Sequence, residues 1–317
     1  MSEEVDISVE FAGLRLANPV FTASGTCGYA DELSDFMDVN LLGGFTTKSI
    51  TLKPRKGNAT PRIIETDSGM LNAIGWANIG LNAFVAEKLP ILEKLSCAVF
   101  VNIAGETIDE YVAVAERLSG EQSIAGLELN ISCPNVELGG ISFGTDPEQV
   151  AEVTSAVKKV AGDKVLMVKL APAVTDISVI AQVAVDSGAD ALSLINTFTA
   201  MVIDIETRRP ILANRTGGLS GPAIKPIAVY LVNKVYSEVT KSIGIPILGM
   251  GGIRTASDAI EFIIAGASAV AVGTASFIEP GCSVEIINGI KKYCVRNNIS
   301  DIKELTGSLE TGQDASN

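Results

Sequence analysis

Eight successive repeats of a short apolar run, a loop and an amphipathic helix predict an α/β protein built as a single (β/α)8 TIM barrel. Two further observations point the same way. The apolar runs are nearly continuous rather than alternating, as strands buried on both faces of a parallel sheet require. Polar and glycine-rich residues gather at the carboxyl ends of these runs, where a barrel assembles a shared site. A doubly wound open sheet is the alternative, and it loses because no G-x-G-x-x-G follows an early strand.

In chain order, residues 7–11 and 14–16 make an N-terminal hairpin turned at Ala12-Gly13. Residues 19–22 read as the first core strand and 31–39 as a short helix, and 44–48 form the second strand. A long loop, 49–78, rich in Gly and Pro, precedes a helix at 81–95 and suits a lid. The third unit is 98–103 with helix 108–118. The fourth is 126–131 with helix 146–161, capped by Asp146 with Pro147 at its first position and Val150, Val153, Val157 and Val160 on one face. Strand 165–170 with helix 176–187 is the fifth unit, and strand 191–195 with helix 223–241 the sixth. A second long insert, 196–221, separates that strand from its helix and holds a hairpin across 206–209. Strand 246–250 with helix 255–265, then strand 269–272 with helix 284–293, complete the eight. The barrel domain is predicted to span 1–299, with 300–317 a flexible C-terminal tail.

Charge and composition remove whole classes of function. A net charge of −13 with no dense basic run makes nucleic acid and anionic membrane poor partners. No apolar run is long enough to span a bilayer, and the acidic start resembles no targeting peptide, so a cytoplasmic protein is expected. The chain has no histidine, which excludes Ser-His and Cys-His hydrolases and any His-ligated metal; no metal site is predicted. Cys27, Cys97, Cys133, Cys282 and Cys294 are odd in number and lack C-x-x-C spacing, which speaks against disulfides and against an iron–sulfur cluster held by this chain alone.

The carboxyl ends of the strands form one constellation: Ser24-Gly25, Lys48, Asn102, Asn130 with Cys133, Lys169, Asn196-Thr197, Gly251-Gly252 and Gly273-Thr274. Cys133 lies between Asn130 and Asn135, amides that donate and accept at once. Gly251-Gly252 and Gly273-Thr274 present backbone N–H groups at adjacent strand ends, where barrels bind phosphate, although two tight turns would give the same pattern. Lys169, between Val168 and Leu170, needs an electrostatic reason to be there, such as a ligand that becomes anionic. A phosphate-bearing cofactor that becomes an anion, beside a thiol base and a ring of Asn, points to reduced flavin and a polar heterocyclic substrate.

These residues resemble a known family. The runs Ala23-Ser24-Gly25-Thr26, Gly69-Met70-Leu71-Asn72-Ala73-Ile74-Gly75, Asn130-Ile131-Ser132-Cys133-Pro134-Asn135, Asn196-Thr197, Gly217-Gly218-Leu219-Ser220-Gly221 and Gly249-Met250-Gly251-Gly252-Ile253 are similar to class 1 dihydroorotate dehydrogenases from about residue 9 to 297. The Met70–Gly75 loop looks like the 1B type. The resemblance implies one FMN per chain and oxidation of dihydroorotate to orotate in pyrimidine biosynthesis. Cys133 would remove the C5 proton while hydride passes from C6 to FMN. Lys48, Asn72, Ala73, Ile74, Gly75, Trp76, Asn130, Asn135, Asn196 and Thr197 would surround the substrate. Ser24, Lys48, Ser49, Asn102, Asn130, Lys169, Ile195, Gly221, Gly251, Gly252, Gly273 and Thr274 would hold FMN, with Lys169 stabilising the reduced ring. It also implies an electron-transfer flavoprotein partner carrying FAD and a [2Fe-2S] cluster, and a catalytic homodimer within a heterotetramer that reduces NAD. Open alternatives are the fumarate-using 1A type, a flavin-free barrel acting on a phosphorylated metabolite, and a tRNA dihydrouridine synthase, which the acidic charge disfavours.

Overall fold

The structure, a computed structural model, describes residues 5–132, 134–135 and 141–310. The chain begins with β1 (Val9–Phe11), β2 (Leu14–Leu16), β3 (Val20–Thr22), β4 (Gly44–Thr46), β5 (Ile63–Thr66), β6 (Gly69–Asn72), β7 (Ala98–Ile103) and β8 (Gly126–Asn130). It continues with β9 (Pro134–Asn135), β10 (Ile141–Ser142), β11 (Val165–Lys169), β12 (Ala191–Leu194), β13 (Phe198–Ala200), β14 (Ile203–Asp204), β15 (Arg209–Pro210), β16 (Gly217–Ser220), β17 (Ile247–Met250) and β18 (Ala269–Val272). Strands β3, β4, β7, β8, β11, β12, β17 and β18 close into the predicted barrel, every neighbouring pair parallel.

Three helices start within a residue of where the sequence predicts, each behind a capping side chain. Asp146 accepts from Gln149 N at 3.0 Å, Asp176 accepts from Ser178 N at 3.0 Å, and Thr255 forms a capping box with Asp258. Val150, Val153 and Val157 are buried on the face of Pro147–Val160 that meets the barrel, while Val160 is only partly buried. The β1–β2 hairpin covers the amino end of the barrel. Phe11, fully buried, sets its ring 5.8 Å from Phe21 and 6.2 Å from Phe100, so the interior is plugged at that end with aromatic surface.

Four segments differ from the sequence expectation. The helix expected over 31–39 ends as Asp31–Ser34, because Asp38 caps a separate turn at Val39–Leu41 by accepting from Asn40 N. The helix expected over 81–95 runs through Gly80–Ala83 and Leu89–Leu92 with a π-turn at Phe84–Lys88 between them; Pro90 has no N–H to keep an α-helical bond in step there. The supposed loop 49–78 contains β5 and β6, which join β16 and β13 in a four-stranded antiparallel sheet of order β13-β16-β6-β5. Leu71, Ala73 and Leu212 form its small core. Finally, the tail does not come loose at Ser300. Ile302 and Leu305 are buried in a capped 3-10 turn, and Gly307 N bonds Ile263 O, so the chain through this stretch is part of the barrel's packing.

Candidate active site

The carboxyl ends of the barrel strands and the four-stranded sheet line a cavity of about 700 Å³, a size typical of small-molecule sites. Its wall carries most of the residues singled out from sequence. Ser24, Lys48, Ser49, Asn130, Lys169, Ile195, Asn196 and Thr197 come from strand ends. Asn72, Ala73, Ile74, Gly75 and Trp76 come from β6 and the residues after it, and Gly221, Gly251, Gly252, Gly273 and Thr274 line it as well. Asn102 is not on the wall; it is fully buried beneath it, inside the barrel. Cys133 and the side chain of Asn135 lie outside the described residues.

Hydrogen bonds fix the amides. Asn196 Nδ2 donates to Ser132 Oγ at 2.8 Å and reaches Asn130 Oδ1 at 3.4 Å, and its Oδ1 accepts from Thr197 N at 2.8 Å. The backbone carbonyl of Asn130 accepts from the buried Tyr111 hydroxyl at 2.6 Å. Asn72 Nδ2 donates to Gly218 O at 3.4 Å, a side-chain tie between the neighbouring strands β6 and β16. Trp76 adopts φ +52° and lies 5.6 Å from the Arg55 guanidinium, which in turn pairs with Glu106 at 2.8 Å. Ser132 and Ser220 also line the cavity, yet neither was singled out from sequence as a site residue, because a serine in a predicted turn or insert carries no pattern of its own.

The two lysines differ. Burial pushes the Lys48 ammonium below its ordinary range, and Arg62 adds to this while Glu32 opposes it. Lys169 is almost fully buried, and its Nζ lies 3.8 Å from Glu128 Oε2. The expected anionic ligand is therefore not its only counter-ion. Glu128, on β8, is fully buried and accepts from Asn102 Nδ2 at 2.5 Å and from Ser193 Oγ at 2.8 Å. Sequence reading missed it. Its one signal was a carboxylate between Leu127 and Leu129, the polar member of a period-two strand.

The described thiols are a different matter. Burial pushes Cys27, Cys282 and Cys294 above their ordinary range and Cys97 up to about 11, so these four are held protonated at neutral pH.

The residues suit the expected FMN. Gly251 and Gly252 have φ of +132° and +77°, and a Cβ on Gly252 would stand 2.7 Å from Gly221 O, so only glycine lets the two loops approach with their N–H groups free for a phosphate. Thr274 Oγ1 donates to Ser220 Oγ at 2.7 Å, tying the β18 end to the covering sheet. Among the described residues Asn102 Oδ1, a buried atom, has no partner, an acceptor in want of a donor. A buried ammonium, a glycine cradle and this spare acceptor together match a phosphorylated heterocycle.

A family model described as dihydroorotate dehydrogenase matches residues 6–294. The dihydroorotate dehydrogenase B (NAD(+)) catalytic subunit of Geotalea daltonii is 53% identical over 305 residues, covering 96% of this chain and 98% of its own length. The subunit of the same name from Geobacter sulfurreducens is 51% identical over 308 residues, covering 97% and 99%. Among solved structures, DHODH from Eimeria tenella in complex with ferulenol superposes with a TM-score of 0.78 at 25% identity, over 96% of this chain and 89% of that one. Among the described residues, no helix is long and apolar enough to cross a membrane.

Proposed function

The chain belongs to the dihydroorotate dehydrogenase family, and from that membership we propose how its cavity works. The reaction is oxidation of dihydroorotate to orotate in pyrimidine biosynthesis, and the chain is the catalytic subunit of the NAD-linked type. One observation carries the reading of the site: a single cavity brings an amide ring and two lysines against a glycine cradle.

Asn72, Asn130, Asn135, Asn196 and Thr197 hold the pyrimidine ring and its carboxylate, each amide donating and accepting at once. Lys48, whose ammonium burial disfavours, gains an anionic partner when the substrate arrives. Cys133 Sγ takes the proton from C5, in a chain with no histidine to do so. Ser24, Ser49, Ile195, Gly221, Gly251, Gly252, Gly273 and Thr274 would hold one FMN, together with Asn102 and Lys169. Bound there, FMN supplies the acceptor for the hydride leaving C6 of the substrate.

Electrons leave through a partner subunit carrying FAD and a [2Fe-2S] cluster, and two catalytic chains pair within a cytoplasmic heterotetramer. The cysteine spacing supports this, because it gives a cluster no ligand set in this chain, as does the lack of a dinucleotide fingerprint. The test is made on the purified chain alone. It should be yellow, release FMN on heating, bleach with dihydroorotate and reduce dyes rapidly, with NAD⁺ reduced only after the partner is added. Colourless protein that takes up no added FMN removes the flavin reading. Rapid fumarate turnover points to the 1A type, and rapid NAD⁺ turnover without a partner removes the two-subunit reading.

A further inference from the structure

A carboxylate inside a barrel persists only with hydrogen bonds and a counter-ion. Glu128 has both. Its Oε2 accepts from Asn102 Nδ2 at 2.5 Å and lies 3.8 Å from Lys169 Nζ, and its Oε1 accepts from Ser193 Oγ at 2.8 Å. The register explains why they meet: Asn102 is the cross-strand partner of Glu128, and Ser193 is the partner of Lys169 on the far side. Four adjacent strands, β7, β8, β11 and β12, thus turn one polar layer inward under the cavity.

Such a cluster is a poor device for stability, since buried ion pairs can often be exchanged for apolar residues without loss. It is a good device for geometry. A carboxylate only accepts, so it obliges Asn102 to turn its Nδ2 toward Glu128 and its Oδ1 away, and that Oδ1 is buried with no partner among the described residues. An ammonium on a flexible four-carbon stem has no planar fork to orient itself, so Lys169 takes its position from the carboxylate as well. Glu128 itself does not reach the cavity wall.

We propose that Glu128 is the positioning residue of the site: it holds Lys169 and Asn102 in place for the flavin and, by offsetting the Lys169 charge, sets the potential at which the flavin is reduced. This rests on the FMN reading above. Glu128 acts through its two neighbours rather than by contact with substrate or cofactor. Removing its charge leaves the ammonium uncompensated, which favours the electron-rich form of the flavin.

The experiment is a double-mutant cycle on the flavin midpoint potential of the full-length, FMN-loaded chain, with Glu128→Gln, Lys169→Met and the pair. Glu128→Gln should shift the equilibrium toward reduced flavin by tenfold or more, about 30 mV upward for a two-electron couple. In the Lys169→Met background the same change should shift it by less than threefold. Glu128→Asp keeps the charge but withdraws it by one methylene, so it should hold the wild-type potential within threefold while slowing flavin reduction by dihydroorotate. A Glu128→Gln chain with the wild-type potential overturns the proposal, as does an equal shift in both backgrounds. If Glu128→Gln does not fold, a tenfold change of potential in Glu128→Asp overturns it instead. A wild-type chain that takes up no FMN overturns the earlier reading and this one with it, a result distinct from an unchanged potential in loaded protein.

Discussion

Lys48 shows how a single side chain can work against the fold that holds it. Its ammonium is half-buried and has no carboxylate within ion-pair distance among the described residues, and burial lowers its pKa below 10.5. The unfolded chain keeps the ordinary value, so between the two values the unfolded state binds more protons. At neutral pH the folded chain therefore bears the full penalty of the buried charge, and the penalty is relieved as pH rises through the folded pKa toward 10.5. Lys48→Met should raise the thermal midpoint of the ligand-free chain at pH 7, with the gain shrinking toward pH 10.5, and should weaken dihydroorotate binding. Calorimetry across pH with a parallel KM measurement checks this; a lower midpoint at pH 7 contradicts it. For Cys133→Ala, flavin should stay bound while dihydroorotate-driven reduction falls by about 10² to 10⁴. Stopped-flow reduction at the wild-type rate would take Cys133 out of the proton transfer. Both residues were legible in the sequence because each stands at the carboxyl end of a predicted barrel strand. Glu128 was not, since its partners Lys169 and Ser193 lie on other strands and only the closed barrel brings them to it.

At the level of elements, the cradle depends on Gly221. It has φ +92°, and a Cβ there would lie 2.8 Å from the backbone of Gly69 on β6. Gly221→Ala should destabilise the chain by about 1–3 kcal/mol and push the covering sheet away from the barrel mouth. Urea denaturation and flavin retention on gel filtration measure both effects, and full retention with an unchanged midpoint would remove Gly221 from the cradle. The barrel strands could be read from sequence because apolar runs of strand length announce burial on two faces. The helix starts could be read because Asp146, Asp176 and Thr255 are cap residues followed by amphipathic stretches. Strands β5 and β6 could not. Their side chains are mostly half-exposed, and β6 finds its partner β16 across 146 residues at the Asn72–Gly218 contact, a pairing that no local window contains.

For the molecule as a whole, the stretch 301–307 acts as a clasp. Asp6 bridges Asp301, and Ile302 and Leu305 are buried, so this stretch fastens the segment that leads into β1. Removing residues 300–317 should lose about 1.5–3 kcal/mol for each of these two buried side chains. A truncated chain that melts with the full-length one would show that the clasp carries no weight.

The sheet over the cavity carries a lesson for anyone who would rebuild the site. Strands β5 and β6 come from one long segment of the chain and β13 and β16 from another, yet they share a single set of ladder bonds. A chimera that borrows one insertion from a relative and keeps the other inherits half a fabric, with a raw strand edge exposed at the doorway. The two segments have to be exchanged together, and a change of substrate must be written in both.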